Sequence, residues 1–339
     1  MPTVGIGVIG LGRMGRVYGY HTARQIEGAH LIAVADASQD ALTVFSSQVE
    51  GVRTYQAYQE LLLQPDIHGV IVATPTHTHH EIVIAAAEAG KAVFCEKPTA
   101  LDLTATDEML TAVNKTGVLF QVGFMRRFDR AYAEAKRRIE AGAIGQPVTI
   151  LSIGRDPRRT SLEYADPTVS GGLIVDMGIH DFDVVRWLMT DEVERVYAES
   201  ASLVYPELLD VNDVDTAMIN LRLTSGGLGT IEVSRTAKYG YDIRAEVIGS
   251  AGTLQIGYLQ ETPVITLTPD GAHYDIVPHF PERFGSAYTA QIEHYVDCLL
   301  HDKAPLVSAE DARAALQASI AATISHREQR VVYVNEVQR

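Results

Sequence analysis

Lys97 follows the apolar run Ala92-Val93-Phe94-Cys95 and stands between Glu96 and Pro98. The proline confines Lys97 to an extended backbone, and an X-Pro bond at a strand end is also a place for a cis peptide. An amine held there can hydrogen-bond a substrate hydroxyl. The plain alternative is a surface lysine paired with Glu96. Asp176 and His180, in Asp176-Met177-Gly178-Ile179-His180-Asp181, are four apart, a spacing that puts both on one face of a helix. A carboxylate beside an imidazole fixes its tautomer, and histidine is a natural acceptor for a hydroxyl proton near neutral pH. Taken alone, the pair also suits a capping aspartate beside a packed histidine, or two metal ligands.

The start of the chain tips that balance toward chemistry. Val4-Gly5-Ile6-Gly7-Val8-Ile9 is an apolar run too short for a buried helix, and it leads into Gly10-Leu11-Gly12-Arg13-Met14-Gly15. In a dinucleotide turn the first glycine permits the bend, the second lets backbone approach the diphosphate, and the third lets helix and strand pack closely. The diphosphate then lies on the amides of the next helix's first turn. A second apolar run, Leu31-Ile32-Ala33-Val34-Ala35, ends at Asp36, 21 residues beyond Gly15, where an acid accepts from a ribose 2′-hydroxyl. NAD is therefore the expected cofactor, with Gly10, Gly12, Arg13, Met14 and Gly15 at its diphosphate and Asp36 at its ribose. Beside a nicotinamide, Lys97, Asp176 and His180 make a set that can remove a proton from an alcohol.

Thr74, Pro75 and Thr76 at another strand end are expected to line the nicotinamide ribose, with His77 close by and Thr78 capping the following helix. His77, His79 and His80 open that helix, and with no cysteine or second carboxylate cluster to complete a tetrahedral set, no metal is expected. Glu96 falls on the same cofactor edge. Arg126 and Arg127, with Arg130 beyond, suit either a solvated helix start or a clamp on cofactor or substrate. Arg158-Arg159 lies in the stretch Gly154 to Gly172, which could form a loop over a pocket.

These residues need a scaffold, and the order of patterns supplies one. Strand and helix patterns alternate up to the strand Val118 to Val122, which predicts right-handed crossovers and a parallel, doubly wound Rossmann sheet in an α/β domain. Ligands gather at the carboxyl ends of such strands. Beyond Gly123 come a basic helix near Ala131 to Ala141 and strand-rich segments from Val148 to Ile256, with a hairpin signal at Ser225-Gly226-Gly227. That succession predicts an α+β domain with a mostly antiparallel sheet. The expected domains are residues 1–123, binding NAD, and 124–339, serving substrate binding and oligomerisation. Ser308 to Asp311 carries a capping-box-like order ahead of an alanine-rich helix.

Composition narrows the function classes. At 339 residues the chain exceeds what one core supports. A net charge of −15 argues against nucleic acid, whose binding depends on basic surface. No apolar stretch approaches the roughly 20 residues needed to span a bilayer, and no leader precedes the first strand, so no membrane partner and a cytoplasmic location are expected. Two cysteines exclude a disulfide framework. The strand-rich half should leave apolar sheet surface that a second copy covers, giving a homo-oligomer, a dimer or tetramer.

Together these stretches resemble the glucose-fructose oxidoreductase, inositol dehydrogenase and MocA family over nearly the whole chain. Val93-Phe94-Cys95-Glu96-Lys97-Pro98, Gln121-Val122-Gly123-Phe124-Met125-Arg126-Arg127-Phe128-Asp129 and Lys238-Tyr239-Gly240-Tyr241-Asp242-Ile243 are similar to bacterial inositol 2-dehydrogenases. The resemblance implies a Rossmann domain, a second domain whose large, mostly antiparallel open sheet is used in assembly, and Lys97, Asp176 and His180 as the catalytic set, with Arg127, Asp156 and Tyr239 or Tyr241 near the substrate. The family's inositol enzymes tend to carry His-Arg-Asn-Pro where this chain has Gly154-Arg155-Asp156-Pro157, which changes the hydrogen-bonding pattern and charge at that position. The expected activity is NAD-dependent oxidation of a secondary hydroxyl of a cyclic polyol or sugar to the ketone, an oxidoreductase acting on CH-OH groups. Another sugar such as levoglucosan or glucose, a glycosidase that uses bound NAD transiently, and a non-catalytic NAD sensor are the alternatives.

Overall fold

The strands of the first sheet are short, and three of the inner ones are wholly buried apolar runs because each must be covered on both faces. In a computed structural model that describes residues 2–257 and 260–338, the sheet's strands are β1 (Val4–Ile9), β2 (Ala29–Ala35), β3 (Arg53–Tyr55), β4 (Gly69–Val72), β5 (Ala92–Cys95) and β6 (Phe120–Val122). They lie parallel in the order β3-β2-β1-β4-β5-β6. The order reverses between β1 and β4, so the topological switch point falls where the glycine turn and Thr74 emerge. Every residue of β1, β4 and β5 is buried. The unit comprises the chain up to Phe128 together with Ser286–Arg313. The returning segment seals the sheet: the Tyr295 ring packs edge-on to Phe94 at 6.0 Å, and a side chain on Gly69 would collide with its hydroxyl.

The second unit, Asp129–Gly285 with Ala314–Gln338, holds β7 (Pro147–Arg155), β8 (Val193–Ala201), β9 (Thr216–Leu223), β10 (Leu228–Ser234), β11 (Asp242–Gly249), β12 (Thr253–Ile256), a separate hairpin of β13 (Gln260–Thr268) and β14 (Gly271–Ile276), and β15 (Val332–Tyr333). The main sheet runs β12-β11-β7-β10-β9-β8-β15, antiparallel except for β7 with β10. This is the α+β arrangement expected. Residues along β9 alternate between buried Ala217, Ile219, Leu221 and Leu223 and open positions, the period of a sheet with one face packed. The helix Gly178–Met189 covers β7 and β10. The opposite face leaves Leu151, Met218, Leu228 and Ile248 between 38% and 50% exposed.

Several boundaries differ from expectation in instructive ways. Asp176 and His180 do not share one helix. Asp176 ends the helix Gly172–Asp176, and His180 lies in the first turn of Gly178–Met189. The His180 amide donates to Met177 O, three residues back, instead of reaching Asp176, and this tighter turn divides the two helices. Thr78 is not the cap of its helix, which begins at Thr76 with Pro75 as cap; its hydroxyl bonds back to Pro75 O and Thr74 Oγ1. The stretch Gly154 to Gly172 is partly helical, over Leu162–Ala165 and Pro167–Ser170. Ser308 and Asp311 do form a reciprocal capping box. Among the described residues, no helix is long and apolar enough to cross a membrane.

Candidate active site

The first unit builds a nucleotide cradle from backbone. Gly10 adopts φ +92, and a side chain there would meet Ala73 O at 2.7 Å. A Cβ on Gly15 would lie 1.8 Å from Gly10 O, so only glycine lets the helix Arg13–Arg24 start against the strand. Gly12 differs from both: a Cβ there would meet nothing within 4 Å. The space over Gly12 is open, as a diphosphate resting on the helix amides requires. The first helical turn, Arg13-Met14-Gly15-Arg16, carries no acid, and Gly12 as cap offers no side chain to its amides. The amides at the start of this helix and its positive end suit an anion. Asp36 Oδ2 accepts from Leu11 N at 2.6 Å and Oδ1 from Ser38 N at 2.8 Å. The acid at the end of β2 is thus fixed to the glycine turn with lone pairs left for a ribose hydroxyl. These features fit a dinucleotide.

At the next strand ends, Thr74, Pro75 and Thr76 form the turn from β4 into the helix Thr76–Glu88, and His77 is exposed on its first turn. His79 is buried, with Nδ1 at 3.0 Å from Pro98 O and Nε2 at 2.9 Å from Thr74 O. It ties this turn to the Glu96-Lys97-Pro98 turn. Among the described residues no group of three or more histidine, cysteine or acidic side chains is arranged to hold a metal ion.

Lys97 follows β5, and its bond to Pro98 is cis. The carboxylate of Glu96 is held beneath it: Oε1 accepts from the Tyr18 hydroxyl and Oε2 from the Lys97 amide at 3.0 Å. Gln291 Nε2 donates to Tyr18 Oη at 2.8 Å, which fixes the tyrosine in turn. Burial pushes the Glu96 carboxyl upward, against the opposing pull of Tyr18 and the Lys97 charge. Gly123, at the end of β6, leaves room for this carboxylate: a Cβ there would sit 3.1 Å from Oε1. Nothing in the sequence pattern pointed to Tyr18 or Gln291.

Arg126 and Arg127 are 3% and 4% exposed, so the solvated reading of that run fails. Arg127 Nη1 donates to Leu306 O at 3.0 Å, and its guanidinium pairs with Asp311 at 2.9 Å. It clasps the returning segment of its own unit. Arg130, by contrast, is exposed at the start of its helix.

The second unit carries the acid–base candidates. His180 is 8% exposed, and the neighbouring Asp181 anchors its helix to β7 by accepting from Ser152 Oγ at 2.6 Å. Asp176 Oδ1 accepts from Tyr164 Oη at 3.2 Å and Oδ2 from Arg235 Nη2 at 2.7 Å. Arg235 was not singled out from the sequence, where an arginine after a strand gives no sign of a partner 59 residues earlier. Asp156 follows β7, its amide bonded to Ser234 O. The Tyr239 hydroxyl donates to Asp242 Oδ2 at 2.8 Å and accepts from Arg155, which also pairs with Glu232. Tyr241 is buried against His279 and Phe284. Arg159 pairs with Glu207.

A cofactor cradle with a lysine at a strand end, and a second α+β unit bearing a buried histidine, define a two-domain oxidoreductase of the nicotinamide class. Residues 4–124 match the oxidoreductase family with an NAD-binding Rossmann fold, and residues 132–255 match the GFO/IDH/MocA C-terminal domain. The chain belongs to the GFO/IDH/MocA family of oxidoreductases. It is 40% identical over 320 residues to scyllo-inositol 2-dehydrogenase (NAD(+)) of Bacillus subtilis, covering 94% of this chain and 93% of that protein. It is also 40% identical to myo-inositol 2-dehydrogenase of Thermotoga maritima, over 98% of this chain and 99% of the relative. Its fold matches the crystal structure of scyllo-inositol dehydrogenase from Lactobacillus casei with bound NAD(H) and scyllo-inositol, with a TM-score of 0.94, 30% identity, and coverage of 98% and 99% of the two chains.

Proposed function

We propose that this protein is an NAD-dependent dehydrogenase that oxidises a secondary ring hydroxyl of an inositol to the ketone. The carrying observation is the likeness, along nearly all of the chain, to enzymes named for scyllo- and myo-inositol 2-dehydrogenation. The backbone cradle at Gly10, Gly12 and Gly15 and the fixed carboxylate of Asp36 support the cofactor part of the reading. Bound NAD supplies the hydride acceptor. His180 takes the hydroxyl proton at an imidazole nitrogen, and Asp176 orients the ring and stabilises its protonated form. The Lys97 ammonium donates to the reacting oxygen and offsets negative charge that grows there as the proton leaves. Thr74, Pro75 and Thr76 line the nicotinamide side. Asp156 and Tyr239 are assigned to substrate contacts, and the aspartate at 156 sets the pocket's hydrogen-bonding preference.

The apolar positions Leu151, Met218, Leu228 and Ile248 on the open sheet face support assembly through that face into a dimer or tetramer. The cytoplasm is the proposed compartment. The test of function is a screen of scyllo-inositol, myo-inositol, glucose and levoglucosan with NAD, followed by NADH absorbance. Sustained NADH release with an inositol supports the dehydrogenase, whereas turnover without NADH release points to a glycosidase that keeps its cofactor.

A further inference from the structure

Arg235 directly follows β10 and is 2% exposed, one of the largest fully buried side chains described. Its Nη2 donates to Asp176 Oδ2 at 2.7 Å, and its Nη1 lies 3.5 Å from Asp213 Oδ2. Asp213 Oδ1 in turn accepts from the amide of Leu173 at 2.8 Å. The helix Gly172–Asp176 has only five residues and starts from two glycines at φ +85 and +74, too short to hold itself. It is instead gripped at both ends by one chain of charged groups: Asp213 at the first turn, Asp176 at the last, and Arg235 bridging them. Tyr164 Oη closes the other side of Asp176.

Stability alone is a poor reason for such a bridge. A buried ion pair often contributes no more than a well-packed apolar replacement, because desolvation offsets the attraction. What a guanidinium adds is geometry, through planar donors in a fixed fork. We propose that Arg235 is a positioning residue for the reaction, acting through Asp176: it fixes the direction of that carboxylate in the site, while Asp213 anchors the same helix at its start. The inference rests on the catalytic reading of Asp176.

Five proteins test it: the parent, Arg235→Met, Arg235→Lys, Asp176→Asn and the Arg235→Met/Asp176→Asn double variant. Each is assayed with NAD and an inositol, and hydrogen exchange across residues 171–177 is followed without cofactor. Arg235→Met should lower kcat by about 10- to 100-fold while KM for either ligand changes by less than about 3-fold. In the Asp176→Asn background the same change should have an effect of less than about 2-fold, because the two residues act as one unit. Exchange across 171–177 should quicken in Arg235→Met. Arg235→Lys should recover part of kcat, and it carries the test if Arg235→Met does not fold. Impaired Asp176→Asn alongside an Arg235→Met of normal kcat and exchange, or losses that simply add in the double variant, overturns the proposal. A near-normal kcat in Asp176→Asn overturns the reading of Asp176 and the positioning role with it; quickened exchange in Arg235→Met would then still record the clamp on the helix.

Discussion

The carboxylate of Asp36 accepts the amide of Leu11 at 2.6 Å, so the acid at the end of β2 and the glycine turn after β1 form one braced unit. An acid so placed favours a ribose 2′-hydroxyl and repels a 2′-phosphate. The ratio of kcat/KM for NAD over NADP should exceed one in the parent and shrink in Asp36→Ser. Equal or better efficiency with NADP in the parent would sink this assignment. The variant should also lose some stability, since the Leu11 amide loses its charged acceptor.

Two glycines of the same turn should separate folding from binding. Gly15→Ala drives a Cβ to 1.8 Å from Gly10 O, so its melting temperature should fall together with NAD affinity. Gly12→Ala meets nothing within 4 Å and sits at φ −63, so its melting temperature should match the parent. Its Kd for NAD should nevertheless rise by about tenfold or more, roughly 1.4 kcal/mol, because the methyl stands where the diphosphate must approach. Calorimetric titration of both variants decides the matter; unchanged affinity in Gly12→Ala contradicts the cradle.

His180→Ala should lower kcat by about 10²- to 10⁴-fold, the scale of a general base, with NAD still bound. Lys97→Ala should be comparably impaired, because its stub can neither hold the substrate oxygen nor offset its charge. A folded His180→Ala enzyme with near-parental turnover would make the histidine a packing residue.

Acid stability should depend on His294. Its Nε2 accepts from the Leu306 amide at 3.0 Å, a bond only the neutral ring can make, and burial lowers its pKa below the usual 6.5. The unfolded chain therefore binds more protons just below that value, and stability is present above about pH 6.5 and lost as pH falls through the lowered value. Urea midpoints of the parent should drop on acidification more than those of His294→Gln, whose amide oxygen accepts without titrating. Parallel curves for the two proteins would rule the role out.

What could be read from sequence was local. The apolar runs of β1, β2 and β5, the glycines between them, and the Ser308–Asp311 box each announce themselves within a few residues, because backbone conformation and capping are decided by neighbours. The site's supports were not legible, because they come from far along the chain: Arg235 to Asp176, Tyr18 to Glu96, and Arg127 to the carbonyl of Leu306. The break at Met177 was hidden for a related reason. A four-residue spacing fits one helix as well as two in tandem, and only the His180 amide's choice of Met177 O divides them. The return of Ser286–Arg313 to the first unit likewise has no mark in periodicity.

Inositol oxidation is decided by adding scyllo- or myo-inositol to the purified protein with excess NAD and following NADH over many turnovers. NADH should accumulate in step with ketone formed and far exceed the enzyme concentration. An absence of NADH with both inositols, under conditions where NAD binds, would contradict it.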